Sequence, residues 1–306
     1  MYSPRFGISF PITERGIVHF SYGHFYQMPT LRNLYKRSIF GANQSPTIGY
    51  ANLNPEKTVQ YEFGIQQQFS QFIAIDMSIY FKDVRDLLAL QSISYDSPNY
   101  GPSSYNVYLN KDYASIKGLT FSLTKRYDPI SRLSAFFDYG YQISEGNSVT
   151  SGSFYFNTLT GVQEEKKIVP LSWDQRHIFN TTITYNHFNK WGISFIGKLS
   201  SGWPYTPNIP YANYIPDPNS DRKPWQKNIN ARIFKSIPLG QHSLILFTKI
   251  YNLFDFLNEK YVYNDTGRSG YTFINRSSQE TETLTKHYGE VGVHTWEEYH
   301  IRPDYY

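Results

Sequence analysis

LSWDQRHIFNTTITY, residues Leu171–Tyr185, opens with a polar and aromatic knot and then becomes a strand with two unlike faces. Trp173, Asp174, Arg176 and His177 make the knot. Phe179, Thr181, Ile183 and Tyr185 then alternate with Ile178, Asn180, Thr182 and Thr184. A two-residue rhythm means extended backbone with different surroundings on its two sides. One face is aromatic-rich and the other mostly small and hydroxylated. A soluble sheet would bury the first face in a core, and a membrane barrel would turn it to lipid. This strand is compatible with both.

The same rhythm recurs along the chain. It predicts strands over Pro4–Phe10, Ile17–Tyr26, Lys57–Ser70, Phe72–Arg85, Gly118–Arg126, Leu133–Gln142, Gln175–Tyr185, Trp191–Trp203, Asn228–Ser236 and His242–Phe254. Ile73, Ile75, Met77, Ile79 and Phe81 face away from Ala74, Asp76, Ser78, Tyr80 and Lys82, for example. No segment shows helical spacing. The links alternate between short turns and long polar stretches: Gln27–Glu56, Ser92–Tyr105, Gly146–Asp174 and Pro204–Gln226 are the long ones. Soluble sandwiches and propellers have no reason to lengthen every second loop. Outer-membrane barrels do, with short periplasmic turns and long extracellular loops. The expected fold is therefore all-β: an antiparallel transmembrane β-barrel, present as an open partial barrel of about ten strands.

Composition agrees. The 306 residues include 28 Tyr, 22 Phe and 5 Trp, yet only 40% are hydrophobic. That balance suits aromatic girdles and Tyr-rich loops better than a large aliphatic core. A net charge of +4 is too weak for nucleic-acid binding, and the absence of cysteine excludes disulfides and thiolate metal sites. No apolar run approaches the ~20 residues of a membrane helix. MYSPRFGISF lacks the charged and apolar regions of a signal peptide, so the expectation is an internal piece of a longer precursor.

Several stretches resemble the C-terminal half of the TonB-dependent receptors. YSPRFGISFPIT with FSYGHFYQMPTLRNLY is similar to a mid-barrel hairpin and its loop; LNPEKTVQYEFGIQQQF is similar to an L-x-P-E…YE-x-G strand. PLSWDQRHIFN resembles a recurrent loop-to-strand junction, SGWPYTP a G-x-P-Y-T-P strand end, and LFTKIYNLFDFLNEKYVYNDTGR an NLFD-x-x-N…TGR segment. The resemblance implies an outer-membrane receptor that takes up a scarce ligand by energy coupling, without covalent chemistry. It implies that residues 1–306 are the C-terminal portion of the barrel, with plug domain and final strand absent. It also implies outer-membrane lipid as surroundings, and an inner-membrane energy-coupling complex reached through the missing N-terminal part. The ligand class stays open among siderophore, cobalamin, glycan and peptide. The alternatives are a passive porin or adhesin barrel and a soluble secreted β-rich binding protein.

The expectation for catalytic, cofactor and metal residues is none. Ser172, Asp174 and His177 suggest a triad, but strand geometry puts Asp174 and His177 on opposite faces. Asp217, Asn219 and Asp221 alternate like calcium ligands, but lack the turn glycine and the closing glutamate. The resemblance marks Trp173, Asp174, Arg176, His177, Asn252, Leu253, Phe254, Asp255, Gly267 and Arg268 as structural motif residues. Glu62, Asp76, Lys82, Arg126, Asp138 and Lys198 are expected to face the lumen, and Tyr95, Tyr100, Tyr105, Tyr211 and Tyr214 are candidates for ligand stacking in the loops.

Overall fold

The structure, a computed structural model, describes residues 2–36, 46–97, 101–147, 167–208, 216–270 and 272. Fourteen strands and one short helix follow in chain order: β1 (Arg5–Thr13), β2 (Gly16–Gln27), α1 (Leu31–Tyr35), β3 (Thr47–Ile48), β4 (Glu56–Gln68), β5 (Ile73–Ser97), β6 (Gly101–Lys125), β7 (Leu133–Gly146), β8 (Val169–Pro170), β9 (His177–His187), β10 (Trp191–Ser200), β11 (Pro204–Tyr205), β12 (Asp221–Arg222), β13 (Gln226–Leu239) and β14 (His242–Ile250). The ten long strands hydrogen-bond in the order β1-β2-β4-β5-β6-β7-β9-β10-β13-β14, a path with two ends rather than a ring. Each long strand pairs with the next long strand in sequence, which is the meander that alternating short and long links demand. Residues cluster into two compact units: 1–67, 76–120 and 142–174 form one, and 68–75, 121–141 and 175–306 the other.

In the second unit, register lines up the two faces. Ala135, Ile183, Phe195 and Ala231 sit side by side across β7, β9, β10 and β13. One step up lie Phe137, Thr181, Gly197 and Ile229. The opposite face carries Asp138 beside Asn180 and Lys198, and Thr184 beside Ser194 and Arg232. Polar residues there bond to one another: the Ser122 hydroxyl donates to Asp138 Oδ1 at 2.9 Å, and the Thr184 hydroxyl donates to Ser194 Oγ at 2.9 Å. The separation is not complete, because Phe136 and Ile196 lie on the polar face. In the first unit Phe6, Ile8 and Phe10 pair with Tyr22, Phe20 and Val18, and Tyr22 and Phe20 pair onward with Tyr61 and Phe63. Ile8, Phe10, Phe20, Phe63, Met77, Ile79 and Phe81 are all exposed, so among the described residues no protein layer covers this aromatic-aliphatic face. In water such a surface is a liability; in hydrocarbon it is the stable arrangement.

Three local expectations give way. Ser92–Tyr105 is not a polar loop: β5 and β6 run on for 25 residues each, leaving only residues 98–100 between them. Twenty-five residues span about 80 Å, against the ~10 residues a membrane strand needs. The ladder continues here without an apolar face because loops cover it. Leu53, Ala89, Val107, Ala114, Val169 and Leu171 are buried there, β3 adds beside β6 in parallel, and β8 pairs with the end of β7. The last strand stops at Ile250 rather than Phe254, because Asn252 and Asp255 both take positive φ, 48° and 50°, and bend the chain. Inside Gln27–Glu56, Leu31–Tyr35 forms one helical turn, with the Thr30 side chain accepting the Asn33 N–H. Thr30 acts as the N-cap, and five residues are too short a run for helical spacing to show in the sequence.

Candidate functional site

The motif residues lie in or beside the long links and in the segment after β14. Each unit builds its own part.

In the first unit, Leu171–Asp174 is a tight turn, with the Asp174 N–H donating to the Leu171 carbonyl at 2.8 Å. This turn takes both backbone groups of Ser144 in β7. The Ser144 N–H donates to Asp174 Oδ1 at 2.8 Å, and the Leu171 N–H donates to the Ser144 carbonyl at 2.9 Å. Asp174, Ser144 and Leu171 are fully buried, while Trp173 is half exposed. Gly146 packs so closely that a Cβ would lie 2.7 Å from the Tyr113 carbonyl oxygen and 3.0 Å from Leu171. A second clamp is Asn110. Its side chain accepts the Asn54 N–H at 2.8 Å and donates to the carbonyls of Asn54 and Asp86 at 2.9 and 2.7 Å. Asp86 has φ of +60°, so Asn110 fixes the irregularity at which β5 enters its extension.

In the second unit, His177 begins β9 on the aromatic face. Its ring stacks on Tyr139 and Trp225 with centroids 6.2 and 5.6 Å away, and lies 5.1 Å from Tyr141. Its Nδ1 is 3.0 Å from the Tyr139 hydroxyl. Asp174 is thus committed to Ser144, His177 to Tyr139, and Ser172 is exposed, so the three form no proton relay. Arg176 is half-buried in the link into β9.

The NLFD and TGR motifs fold back on the neighbouring strand ends. The Asn252 N–H donates to Asn230 Oδ1 at 2.8 Å and the Leu253 N–H to the Ile229 carbonyl at 2.7 Å. The Asn252 side chain brackets Phe256, accepting its N–H at 3.0 Å and donating to its carbonyl at 3.1 Å. Phe254 is exposed and lies 5.7 Å from Phe256. The Asp255 N–H donates to the Asn252 carbonyl at 2.8 Å, closing the turn. Asn258 exchanges two bonds with the backbone of Lys227 at 2.8 and 2.9 Å, imitating one rung of a β-ladder. Gly267, at φ +67°, lies under Tyr205: a Cβ there would come within 2.3 Å of the phenol oxygen. That phenol donates to Asp221 Oδ2 at 3.0 Å and ties β11 to β12. Burial, then the bond to Asp221 and the charges of Asp221 and Asp265, push the Tyr205 hydroxyl up to about 12. It stays a neutral donor across the physiological range.

Arg268 grips Glu259 with Nε and Nη2 at 2.9 and 2.7 Å, and the Ser269 N–H adds a bond at 2.7 Å. Burial alone would raise the Glu259 carboxyl. The Arg268 and Ser269 bonds outweigh it and hold the carboxyl below its ordinary value.

Asp217, Asn219 and Asp221 do not gather: Asp221 serves Tyr205, and Asn219, at φ +56°, gives its N–H to Thr206 Oγ1. Among the described residues no group of three acidic or histidine side chains suits a metal ion. On the polar face, Glu62 accepts from Gln60 Nε2 at 3.1 Å and lies 3.9 Å from His19, Asp138 is bonded to Ser122, and Lys82 sits over the Tyr80 ring at 5.3 Å. Lys198 is exposed there, and the Arg126 N–H is bonded to the Phe72 carbonyl. Tyr105 is half-buried in β6. Tyr100, Tyr211 and Tyr214, and the side chain of Tyr95, lie outside the described residues. Sequence reasoning did not single out Asn110, Ser144, Asn258 or Glu259. The partner of Ser144 is 30 residues away and that of Asn258 is 31, those of Asn110 are 56 and 24, and those of Glu259 are 9 and 10 across a bend, so no local pattern announces them.

A family model for the TonB dependent receptor-like β-barrel matches residues 1–253. No curated protein sequence matches the chain. Among solved structures, the outer membrane transporter YddB from Escherichia coli is 14% identical over 86% of this chain and 38% of its own, with a TM-score of 0.66. The siderophore receptor PirA from Acinetobacter baumannii is 15% identical over 83% and 37%, with a TM-score of 0.56. The ferric-catecholate import receptor Fiu from E. coli is 15% identical over 86% and 32%, also at 0.56. These likenesses carry the fold, and the chain spans well under half the length of each of these structures. The family and these neighbours are receptors and transporters of the outer membrane, not enzymes. With its aromatic-aliphatic face bare, its polar face hydrogen-bonded and a family model matching 253 of its residues, this chain belongs to the TonB-dependent receptor-like β-barrels of the bacterial outer membrane.

Proposed function

We propose that the chain is the C-terminal portion of the barrel of an energy-coupled outer-membrane receptor that imports a scarce ligand. In this reading a plug domain and one closing strand belong to the same protein. The link to the inner-membrane energy-coupling complex runs through the N-terminal part. The observation that carries the proposal is that, in each unit, the described parts of the long links and of the segment after β14 are folded and cross-braced, by Asp174, Asn110, Asn252, Asn258, Tyr205 and Glu259. A passive pore has no need of a braced loop crown, whereas a receptor must hold its capture surface in shape before the ligand arrives. Neighbours described as siderophore and ferric-catecholate receptors favour a metal chelate over cobalamin, glycan or peptide as the first ligand class to test. Deletion of the gene should abolish accumulation of one member of a radiolabelled chelate panel at nanomolar supply, and collapse of the proton-motive force should do the same in the wild type. Uptake that survives energy collapse and scales linearly with concentration would mark a passive pore instead.

A further inference from the structure

At the short-turn ends of β7, β9, β10 and β13, the aromatic face ends in a row of cations and rings. His187 pairs with Trp191 across β9 and β10, and Trp191 pairs with Lys235 across β10 and β13. Their side chains therefore stand side by side on one face. The His187 and Trp191 rings stack at 5.7 Å, and Tyr185 lies 5.3 Å from Trp191. Arg132 extends the row from the neighbouring turn: its Nη1 is 2.7 Å from His187 Nδ1 and 3.5 Å from the Tyr185 hydroxyl, and its guanidinium lies 4.4 Å from the Phe188 ring centre. Lys190 projects from the turn next to Trp191, held by the Ser236 N–H donating to its carbonyl at 2.8 Å. Trp191, Lys190 and Lys235 are exposed. Among the described residues, Arg132, Lys190 and Lys235 make no ion pair. The single acid of these turns, Asp128, is already engaged by the N–H groups of Ile130 and Ser131 and by Lys125 at 3.8 Å.

Three cations without carboxylate partners, set around an exposed indole on a lipid-facing surface, are an unusual expense. An uncompensated cation belongs at a water boundary, and its natural counter-ion in a membrane is a lipid phosphate. Arg132 offers a planar fork suited to a phosphate, held rigid by His187 and Phe188. Lys235 offers a mobile point charge on the other side of Trp191. The indole between them suits the junction of acyl chain and headgroup. We infer that Arg132, His187, Trp191, Lys190 and Lys235 form a binding site for the headgroup of an acidic glycerophospholipid in the leaflet at the short-turn side. The inference rests on the reading of the chain as part of a membrane barrel.

The test uses the full-length protein in nanodiscs containing phosphatidylglycerol and phosphatidylcholine in equal parts, with retained lipid measured by native mass spectrometry after transfer to mild detergent. Wild type should retain phosphatidylglycerol in preference. At about fivefold per cation, Arg132→Gln with Lys235→Gln should reduce that preference about 25-fold. Because Arg132 lies in a turn at φ +56°, Lys190→Gln with Lys235→Gln is the second variant and should give a similar loss with the turn intact. Lys198→Gln, on the polar face, should change nothing. Wild type that folds in lipid but shows no phosphatidylglycerol preference overturns the inference and leaves the barrel standing. Loss of the retained lipid in excess inorganic phosphate would reassign the row to a free-anion site and also overturn it. Failure of the wild type to fold in lipid at all would instead remove the membrane reading beneath it.

Discussion

Replacing Ile183 by Arg tests the assignment of the two faces at its most sensitive point. Ile183 is exposed on the aromatic-aliphatic face, flanked by Ala135 and Phe195 in register. On the same strand, aromatic clusters mark both ends of that face, around His177 and around His187. The ten steps from His177 to His187 cover about 33 Å along the strand, or about 25 Å along the membrane normal at a tilt of ~40°. That is the height of the apolar band of an outer-membrane barrel. Ile183 stands four residues from His187 and six from His177, so it lies about 10 Å above one girdle and about 15 Å below the other. This is close to the midplane, where an Arg on the lipid face costs about 2–4 kcal/mol. The unfolding equilibrium should therefore shift by about 30- to 1,000-fold. Thr182→Arg, one residue away on the polar face, should cost less than about 1 kcal/mol, because its charge can reach water past the Phe136 and Ile196 that pair with it, with Asn180 and Thr184 two residues away along the strand. Guanidinium unfolding of the full-length protein in vesicles, followed by tryptophan fluorescence and heat-modifiable gel migration, measures both. Equal costs at the two positions, or a larger cost at Thr182, would refute the face assignment and with it the membrane reading.

Other outcomes follow from the rim. Asn110→Ala removes three bonds that hold Asn54 and Asp86, and should cost about 1–3 kcal/mol locally; limited proteolysis of intact cells should show faster cutting within Gln27–Glu56 without loss of the barrel. Gly267→Ala places a methyl within 2.3 Å of the Tyr205 oxygen at a φ of +67° and should undock residues 255–270, seen as faster hydrogen exchange there, with partial rescue by Tyr205→Phe. The Glu259 carboxyl is held below its ordinary value, so the Arg268–Glu259 contact contributes fully above the unfolded-state value. That contribution fades as pH falls through the lower folded value. Exchange protection of residues 255–270 should drop in that acid window in the wild type and not in Glu259→Gln. Protease added to cells should nick Gln27–Glu56, Gly146–Asp174 or Pro204–Gln226 and spare Tyr127–Ser131; cutting confined to the short turns would invert the sidedness.

The ten long strands, their order and their two faces were legible in the sequence, because each is a local signal. Alternation shows within one strand, and a short polar break between two alternating runs forces a meander. Ile183 and Thr182 declare opposite faces without any knowledge of their neighbours. The extension of β5 and β6 was not legible. After about residue 85 in β5 and before about residue 118 in β6, neither strand has a lipid-facing side to mark it, and the ladder there is stabilised by Leu53, Val169 and Leu171 from links far along the chain. The end of β14 was misread for a related reason: NLFD continues the apolar run, and only the bond from Leu253 to Ile229 and the bracket of Asn252 around Phe256 turn it into a bend. The motif residues could be picked out in the sequence, but what each one holds could not. Asp174 finds Ser144 30 residues away, and Gly267 meets Tyr205 across 62 residues of chain. A pattern of period two says which side of a sheet a residue takes; which distant backbone N–H its carboxylate will satisfy is decided only when the links pack.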